Sequence, residues 1–488
     1  MHLLEMSNAR PTSKAKDLLP QKVKRGHRFT WRHVLTLILS CVAIVAGTNT
    51  DAHDVITRDI CIIGGGAAGT YAAIRLGDMN QTVIVIEHKE RLGGNTQTFT
   101  DPVTGAKADI GVQAWHVLGI VESFFSRFNV PLTIAPIISG SVQFIDFTTG
   151  ANLNGYPGNQ GNVTAALQAY AAQLANYPFL DTGFELPDPV PTDLLMPFGD
   201  FVAKYNLSAA MTVLMNYADG LGSFTKYPTL YFMKLVGLSI LQGIQTGFYT
   251  TARHDNSEIY RNAQAALLAT DSLLLNSHVV ATNRGDNGGL VKVVVSTPSG
   301  HRVIEAKKIL FAIQPTQENL RNFDINSEEL SLFKQFSATG YYTGLLRNTG
   351  VPANAGTVLN RGFNTAYDIP MLPNTYSTYP STIPGLQHVF YGSDTILPID
   401  QVRDNIITTM QRIFPNATAT SSPEFAVFSS HSPFMFTVSS SAIRAGFYRK
   451  LNNLQGYRNM YYSGAAFQTQ DSSLIWQHIE ELLPRVVT

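Results

Sequence analysis

Three glycines that follow an apolar run, in the stretch CIIGGGAAGTYAAIRL, have the spacing of a site that holds a diphosphate. Gly64 allows a tight turn, Gly66 lets the backbone approach a phosphate without a side chain in the way, and Gly69 lets a helix pack closely on a strand. Ala67 and Ala68 then begin the helix, and the unpaired N–H groups of its first turn attract an anion. The spacing predicts dinucleotide binding, although glycine triplets also occur in ordinary turns.

An acidic residue at the end of the next apolar run supports this interpretation. TVIVIE ends in Glu87, about 20 residues after Gly66, where a carboxylate can accept hydrogen bonds from both ribose hydroxyls of an adenosine. The elements that must position these groups are a strand at 60–63, a helix at 67–76 and a strand at 82–87, joined by a right-handed crossover. Because both strands are rich in Val and Ile, we expect a parallel sheet covered on both faces.

Four more segments accompany the glycine turn. They are RLGGNTQTF at 91–99, ADIGVQAWH at 108–116, KKILFAIQP at 307–315 and YYSGAAFQTQDSSLIWQHIEE at 461–481. Together these motifs resemble the conserved segments of the flavin-containing amine oxidase superfamily, and within it most closely the fungal β-cyclopiazonate dehydrogenase family. The resemblance extends over nearly the whole chain from about residue 58. It implies FAD, rather than NAD, as the cofactor.

The resemblance also implies an architecture of the α/β class. We expect a Rossmann-type FAD-binding domain, of the glutathione reductase and amine oxidase kind, with an interleaved α+β substrate domain. The middle of the chain is proline-punctuated and heterogeneous, whereas residues 278–315 have the pattern of a small meander that returns to an apolar strand. The expected segments are an N-terminal signal or anchor at 1–52, FAD-binding parts at 53–116, 251–315 and 455–488, and substrate-domain parts at 117–250 and 316–454.

The residues expected to hold FAD lie in these motifs. They are Gly64, Gly66, Ala67, Ala68, Gly69, Glu87, Arg91, Gly93, Gly94, Asn95, Val279, Gly464, Asp471, Ser472, Ser473 and Leu474. In the last motif, Asp471, Ser472 and Ser473 precede the apolar run LIWQHIEELL, so one of them is expected to cap a helix. The exposed amides of that helix would stabilise negative charge on a reduced flavin.

Two positions depart from the superfamily pattern. Amine oxidases usually carry an acidic residue where this chain has Ala465, so amine oxidation does not follow from the resemblance. At Asn95 the family and superfamily generally place a histidine or arginine. If a histidine carries the flavin covalently in relatives, Asn95 cannot do so, and non-covalent FAD is expected.

Few residues are candidates for proton transfer. His116 and Gln113 follow the Asp109-Ile110-Gly111 loop, which the resemblance places at the flavin, although a single histidine is more often structural. Tyr342, with its neighbour Tyr341, follows the proline-ended strand and could face a substrate, although core packing is the alternative for at least one of them. The remaining loop histidines, His254 and His431, are expected at the surface.

Composition excludes several other classes. The chain has 488 residues, a formal net charge of zero and only 14% charged residues, without a basic cluster after its first three dozen residues, so we expect no nucleic-acid partner. No metal-ligand spacing, Ser/His/Asp arrangement or P-loop is present, and we expect no metal site. One of the two cysteines, Cys41, lies in the N-terminal apolar run and the other, Cys61, in the first strand, so no intramolecular disulfide is expected.

The N-terminus is expected to direct the chain into the secretory pathway. Basic residues from Lys22 to Arg32 precede the apolar run VLTLILSCVAIVAG, which has the length of a signal peptide and is shorter than a comfortable bilayer span. Cleavage is favoured over an uncleaved anchor, which would be the chain's only membrane contact. Both place the rest of the chain outside the cytosol. Four Asn-x-Ser/Thr sequons, at Asn80, Asn162, Asn206 and Asn416, are compatible with that location.

These observations predict an FAD-dependent oxidoreductase that takes hydride from a hydrophobic secondary metabolite, giving desaturation or oxidative cyclisation. The oxidant of the reduced flavin would be oxygen or another acceptor. Two alternatives remain open: a flavin-dependent double-bond isomerase without net redox change, and a non-catalytic flavin-binding or carrier protein.

Overall fold

The computed structural model describes residues 55–488, except 137–139, 157, 159, 286–288, 353 and 419–420. The expected signal or anchor segment at 1–52, including Cys41, lies outside the described residues. Among the helices of the described part, none combines the length and the apolar character needed to cross a bilayer.

The strands, in chain order, are β1 Val55–Ile63, β2 Val83–Ile86, β3 Thr98–Thr100, β4 Lys107–Asp109, β5 Leu132–Ala135, β6 Val142–Ile145, β7 Phe248–Thr251, β8 Leu273–Leu274, β9 His278–Asn283, β10 Val291–Thr297, β11 Gly300–Phe311, β12 Ser337–Ala338, β13 Gly340–Arg347, β14 Thr357–Asn360, β15 Asn374–Pro380, β16 Gln387–Ser393, β17 Glu424–Ser430, β18 Phe436–Thr437 and β19 Met460–Tyr462.

The α-helices are α1 Ala67–Asp78, α2 Gly119–Arg127, α3 Val163–Leu174, α4 Thr192–Leu195, α5 Phe198–Lys204, α6 Met211–Leu214, α7 Thr229–Leu235, α8 Leu238–Thr246, α9 Glu258–Leu268, α10 Gln317–Leu320, α11 Ser327–Phe333, α12 Ile399–Ile413, α13 Pro415–Thr418, α14 Ser440–Arg444, α15 Phe447–Asn452 and α16 Ser472–Val487.

A seven-stranded sheet organises the part of the molecule that contains the glycine turn. Its order is β8-β2-β1-β11-β10-β9, and β19 pairs with the end of β11. The pairs β1/β2, β1/β11 and β11/β19 are parallel, whereas β9, β10 and β11 form the antiparallel meander that the sequence predicts. The strand, helix and strand around the glycines are therefore present as expected. β1 begins earlier than its apolar core because Val55–Arg58 pair with Val303–Ala306 of the long strand β11.

Both faces of this sheet are buried, as the continuous apolar strands predict. Alternate side chains of β1 belong to different cores: Ile60 and Ile62 pack with α1, α2, α9 and α16, whereas Cys61 and Ile63 pack with the helices that follow residue 160. Cys61 is a free, fully buried thiol whose pKa burial raises to about 12, so it serves as a small apolar side chain.

A second sheet of six strands, ordered β17-β13-β16-β15-β14-β6, is antiparallel except for the pair β14/β6. Helix α12 covers it and closes a separate core around Val389, Val402 and Ile406. Because the strands of the first sheet come from residues 55–86, 273–311 and 460–462 and those of the second from 142–145 and 340–430, the two sheets alternate along the chain. This fold is α/β with an interleaved α+β part; the exact domain boundaries stay predictions.

Candidate functional site

One cavity of about 930 Å³ connects the two sheets. At one end it is lined by the glycine turn and the end of β2, and at the other by aromatic and apolar side chains of the second sheet and its loops. Helix α16 contributes its first turn to the wall. The volume is in the range of cofactor and small-molecule sites. The cavity therefore joins a polar end near the glycines to a largely apolar compartment.

The glycines of the turn have separate structural roles. Gly64 has φ +100°, and a Cβ there would lie 2.3 Å from Ile313. A Cβ on Gly69 would lie 1.8 Å from the carbonyl oxygen of Gly64, so helix and turn are in direct contact. Gly66 differs, because the nearest atom to its Cβ position is Gly94 Cα at 3.9 Å and the residue faces the cavity. The open space at Gly66 is where a phosphate can approach.

The loop that follows β2 lies against this turn. The Gly93 amide donates to the Gly65 carbonyl at 2.8 Å, and both Gly93 and Gly94 have positive φ. No side chain caps α1, so its first-turn N–H groups, next to Ala67 and Ala68, are available to a ligand in the cavity. The guanidinium of Arg91 donates to the carbonyls of Thr96 and Gly94 and thus supports the loop from behind.

Glu87 is 4% exposed and lines the cavity at the end of β2. One carboxylate oxygen accepts from the Gly65 amide at 2.7 Å, and the other from the Lys89 amide at 2.8 Å and from His88. Burial opposes its ionisation, but these hydrogen bonds outweigh burial and hold the pKa of Glu87 below its usual value. Glu87 is therefore held as an anion at the cavity wall, next to the glycine turn.

The last helix begins at the cavity wall. Asp471 is its N-cap, with its carboxylate accepting from the Leu474 amide at 2.9 Å, and Asp471 and Ser472 line the cavity. The indole of Trp476 donates to the Ala67 carbonyl at 3.1 Å and its ring stacks on Tyr71. These contacts join α16 to the start of α1, so two helix N-termini are directed at one cavity.

The candidate His116 lies behind this helix and does not line the cavity. It is 2% exposed, its Nδ1 is 2.7 Å from Ser239 Oγ, and its Nε2 is 3.3 Å from the Asp471 carboxylate. Its backbone amide donates to Ser473 Oγ at 3.0 Å. This placement contradicts contact of His116 with substrate and indicates a residue that positions the start of α16.

Gln113 lines the cavity, and its catalytic role stays a prediction. Its side-chain amide donates to the Asp109 carbonyl at 3.0 Å and lies 3.3 Å from His388 Nδ1, while Tyr379 donates to its oxygen. Burial lowers the pKa of His388 to about 4, so this imidazole is neutral. Gln113 is therefore held in one orientation at the wall.

Tyr342 is a correction to the sequence prediction. Its side chain is fully buried in the core beneath α12, and its hydroxyl exchanges hydrogen bonds with the backbone of Leu397. Successive side chains of a strand point to opposite faces, so its neighbour Tyr341 faces the cavity instead. His431 is a second correction, since it is 4% exposed and lines the cavity, whereas His254 is exposed as expected.

Some of the other predicted cofactor residues line the cavity, and the rest lie behind the residues that line it. Asn95 and Gly464 line the cavity, as does Ala465, the residue that differs from the superfamily pattern. Those that lie behind the lining are Gly69, Arg91, Val279, Ser473 and Leu474. Val279 is buried in β9, where its carbonyl accepts from Asn322 at 2.7 Å, so the structure does not bring it to the cavity.

Sequence reasoning missed the charged residues of the apolar compartment. Asp219 and Arg361 line it, together with Asp394, Tyr376 and Tyr379. Asp219 lies between two short 3-10 turns and Arg361 directly follows β14, so neither occupies a periodic element that would reveal its face. The available signal was a single acid followed by two closely spaced glycines in the stretch NYADGLGS.

FAD fits the residues of this cavity. The uncapped N-terminus of α1 and the open position at Gly66 suit its diphosphate, Glu87 suits its ribose, and the capped start of α16 suits an anionic ring. In the described part of the chain there is no group of three His, Cys, Asp or Glu side chains that could hold a metal ion. When bound, FAD supplies a two-electron acceptor for hydride.

Comparison with known proteins agrees with this geometry. The family described as NAD(P)-binding Rossmann-like domain matches residues 62–128. The chain is 38% identical to the FAD-dependent oxidoreductase oblC of Cochliobolus heterostrophus, covering 91% of this chain and 94% of that protein. It is 37% identical to the FAD-dependent oxidoreductase dbaF of Emericella nidulans, covering 93% and 97%. It is 30% identical to the β-cyclopiazonate dehydrogenase of Aspergillus oryzae, covering 92% and 98%.

Solved structures share the fold at low identity. A CLA-producing fatty acid isomerase from P. acnes superposes with a TM-score of 0.73 at 19% identity, covering 88% of this chain and 99% of that one. Putrescine oxidase bound to putrescine gives 0.62 at 15% identity, covering 89% and 100%. The chain thus belongs to the family of fungal FAD-dependent oxidoreductases that includes β-cyclopiazonate dehydrogenase, and FAD is its cofactor.

Proposed function

We propose that this FAD-dependent oxidoreductase removes hydride from a hydrophobic secondary metabolite and so introduces a double bond or triggers ring closure. The observation that carries the proposal is the continuity of the cavity from the glycine turn to an apolar compartment. That compartment is lined by side chains such as Tyr341, Phe390, Phe434, Leu359 and Ile369. An apolar molecule held there lies in the same cavity as the flavin end.

Two features favour a molecule other than a simple amine. Ala465 lines the cavity where amine oxidases usually carry an acidic residue near the ribityl chain, so this chain departs from the amine oxidase pattern at that wall. The relative named β-cyclopiazonate dehydrogenase also supports a polycyclic metabolite as the substrate. Molecular oxygen is the proposed oxidant of the reduced flavin.

Anaerobic mixing tests the proposal. The purified holoprotein is combined with β-cyclopiazonate, and separately with metabolite extract of the producing fungus, while flavin absorbance near 450 nm is followed. We expect bleaching within seconds to minutes and a product that is two hydrogens lighter by mass spectrometry. Admission of oxygen should restore the absorbance and release hydrogen peroxide.

The alternatives predict other results. An isomerase would convert its substrate to a product of equal mass without net bleaching and without peroxide. A carrier would bind compounds, with a shift of the flavin spectrum, but would leave both flavin and compound unchanged. Either result would contradict the proposed oxidation, and a protein purified without flavin would contradict cofactor binding itself.

A further inference from the structure

Among the described residues, one carboxyl group in the apolar compartment accepts no hydrogen bond. Asp219 lines the cavity between the short turns at Met215–Tyr217 and Phe224–Lys226. Among the described residues, none donates a hydrogen bond to its carboxylate, and its one attractive charge interaction is with Arg361. Its side chain is half-buried in the cavity wall, and a carboxyl group partly removed from water without a hydrogen-bond partner is costly unless it acts on a ligand.

The backbone holds Asp219 in this position. Gly220 has φ +82°, and a Cβ there would lie 2.4 Å from Phe434 and 3.1 Å from Tyr341, so the chain can pass the two rings only as glycine. The Gly220 carbonyl accepts from Thr339 Oγ1 at 2.6 Å. Arg361 donates to Asn216 Oδ1 at 2.8 Å and to the Thr212 carbonyl at 3.4 Å, which anchors the segment that leads to Asp219.

The second carboxylate of the compartment is in a different state. Asp394 accepts from the Ser223 amide at 2.6 Å, from Ser223 Oγ at 2.7 Å and from Tyr227 at 3.2 Å. These donors occupy both of its oxygens and tie it to the loop at Ser223. Asp219 is therefore the carboxyl of this compartment that has free oxygens for a bound molecule.

The groups around Asp219 set its protonation. Burial favours the neutral acid and the positive charge of Arg361 favours the anion, and together they raise the pKa of Asp219 to about 7. Arg361 is 9% exposed, and burial lowers its pKa to about 10, so it stays a cation at neutral pH. The other titratable groups that line this part of the cavity are Tyr217, Lys226, Tyr341, Tyr376, Tyr379, Asp394 and His431. Burial raises the pKa values of these tyrosines and lowers that of His431 to about 4, so the tyrosines and His431 are neutral.

We propose that Asp219 is the proton acceptor of the oxidation, an inference that rests on the proposed function. Converting a CH–XH unit to C=X removes one hydride and one proton. The hydride carries both electrons of the broken C–H bond to the flavin, and the electron pair of the X–H bond becomes the new π bond. The X–H proton passes to a carboxylate oxygen of Asp219, which later releases it to solvent. An acceptor whose pKa lies near the working pH serves this step best.

Infrared titration of the holoprotein tests the state of Asp219 without any substrate. Difference spectra from about pH 5 to about pH 9 should contain the C=O band of a buried carboxylic acid that disappears with a midpoint near pH 7. The band should be absent in Asp219→Asn and present in Asp404→Asn, an exposed site on α12. Asp109, whose pKa burial raises to about 6, should give a separate band in both variants.

A spectrum in which Asp219→Asn removes no titrating band would overturn the inference. An acid that is ionised throughout this range cannot hold the proton, and one that is neutral throughout cannot accept it. FAD content and the melting temperature of each variant show whether the fold and cofactor site are intact. If Asp219→Asn fails to fold, Asp219→Glu should keep a band with a shifted midpoint.

Anaerobic reduction by β-cyclopiazonate adds a kinetic readout. The rate of flavin bleaching in the wild type should rise with pH and level off above about pH 7, because the anion is the active form. Asp219→Asn should be slower by roughly 10²- to 10⁴-fold and lose this inflection, while binding of the compound changes little. Equal rates in both proteins would contradict the role of Asp219. Absence of bleaching in the wild type would instead bear against the proposed substrate class, and the infrared result would still decide the inference.

Discussion

At the scale of single residues, cofactor binding depends on the empty space above Gly66. Gly64 and Gly69 lack side chains because protein atoms fill those positions, whereas Gly66 faces an open cavity. A side chain at each position therefore has a different effect. Substitution at Gly69 strains the fold, while substitution at Gly66 obstructs the ligand.

Gly66→Val should lose FAD while remaining folded. The branched side chain would occupy the approach of the diphosphate, and overpacking of this kind costs about 1–3 kcal/mol, so affinity should fall by roughly fivefold to more than a hundredfold. The bound flavin is measured by absorbance after desalting. Gly77→Ala, on the same helix with no atom within 4 Å of its Cβ position, is the control and should keep its flavin.

His116→Ala should reduce stability more than it reduces chemistry. The change removes the partner of Ser239 and of the Asp471 carboxylate in a buried site, at a cost of about 1–3 kcal/mol in the free energy of unfolding. Urea unfolding measures this loss, and the rate of flavin reduction should be compared per bound flavin, with Ser239→Ala as the control. Unchanged stability with a collapsed rate would make His116 a catalytic residue after all.

We expect FAD to be bound non-covalently. Asn95 lines the cavity, but an asparagine cannot form the covalent bond that a histidine forms with a flavin. Acid precipitation of the holoprotein should leave the yellow colour in the supernatant. Mass spectrometry of the precipitated chain should show the mass of the polypeptide alone. A yellow pellet would mean that another side chain carries the flavin.

At the scale of elements, a buried ion pair joins helix α11 to the edge of the first sheet. Arg284, just after β9, is fully buried and makes two hydrogen bonds to Glu329, at 2.7 and 2.8 Å. Glu329 also completes the capping box of α11 by accepting from the Asn326 amide at 3.0 Å. Burial opposes its ionisation, but Arg284 and Asn326 hold the pKa of Glu329 below its usual value.

Glu329→Gln should destabilise the fold by about 1–3 kcal/mol, because the buried Arg284 loses the charge of one carboxylate partner and keeps Asp324, whose carboxylate lies 3.0 Å from its Nε. In the wild type, the contribution of ionised Glu329 is complete above its ordinary pKa of 4.5 and is lost as the pH falls through the lower folded-state value. Thermal melts of both proteins from neutral to acid pH measure this difference. Glu328→Gln, at an exposed neighbouring position, should change little.

Local patterns account for what was predictable at this scale. The apolar runs and glycines around Ile60–Ile63 and the polar cap before LIWQHIEELL carry their structure in a few consecutive residues, so β1, α1, β2 and α16 were predicted. The prediction for Tyr342 was wrong because the alternation of side chains along a strand places Tyr341 and Tyr342 on opposite faces of the sheet. The sequence does not show which of these faces lines the cavity. Asp219 was missed because short irregular turns have no periodicity, and its role depends on packing by distant residues.

At the scale of the whole molecule, we propose that the described unit matures outside the cytosol. Asn80, Asn162, Asn206 and Asn416 are all exposed. Asn162 caps α3 with its oxygen, which accepts from the Ala165 amide at 3.0 Å, so its nitrogen stays free to carry a glycan. An asparagine that carries a glycan in a folded protein must be exposed, and all four sequon asparagines are.

Protein expressed with its own N-terminus in a filamentous fungus should therefore carry N-glycans. Treatment with an N-glycosidase should increase its mobility on a gel, and Asn206→Gln should reduce the shift. N-terminal sequencing of the product should begin after the apolar run if the segment is cleaved. A chain that retains its initiator methionine and shows no shift would contradict this location.

The cavity takes its wall from both ends of the described chain, and this has a consequence for biosynthesis. The glycine turn leaves the ribosome long before β19, which completes the sheet, and the first turn of α16, which contributes to the cavity wall. At typical rates of about 5–20 residues per second, the interval between them is on the order of tens of seconds. During that interval a nascent chain exposes the glycine turn without the wall that α16 supplies, so we expect firm binding of FAD only after α16 has been made.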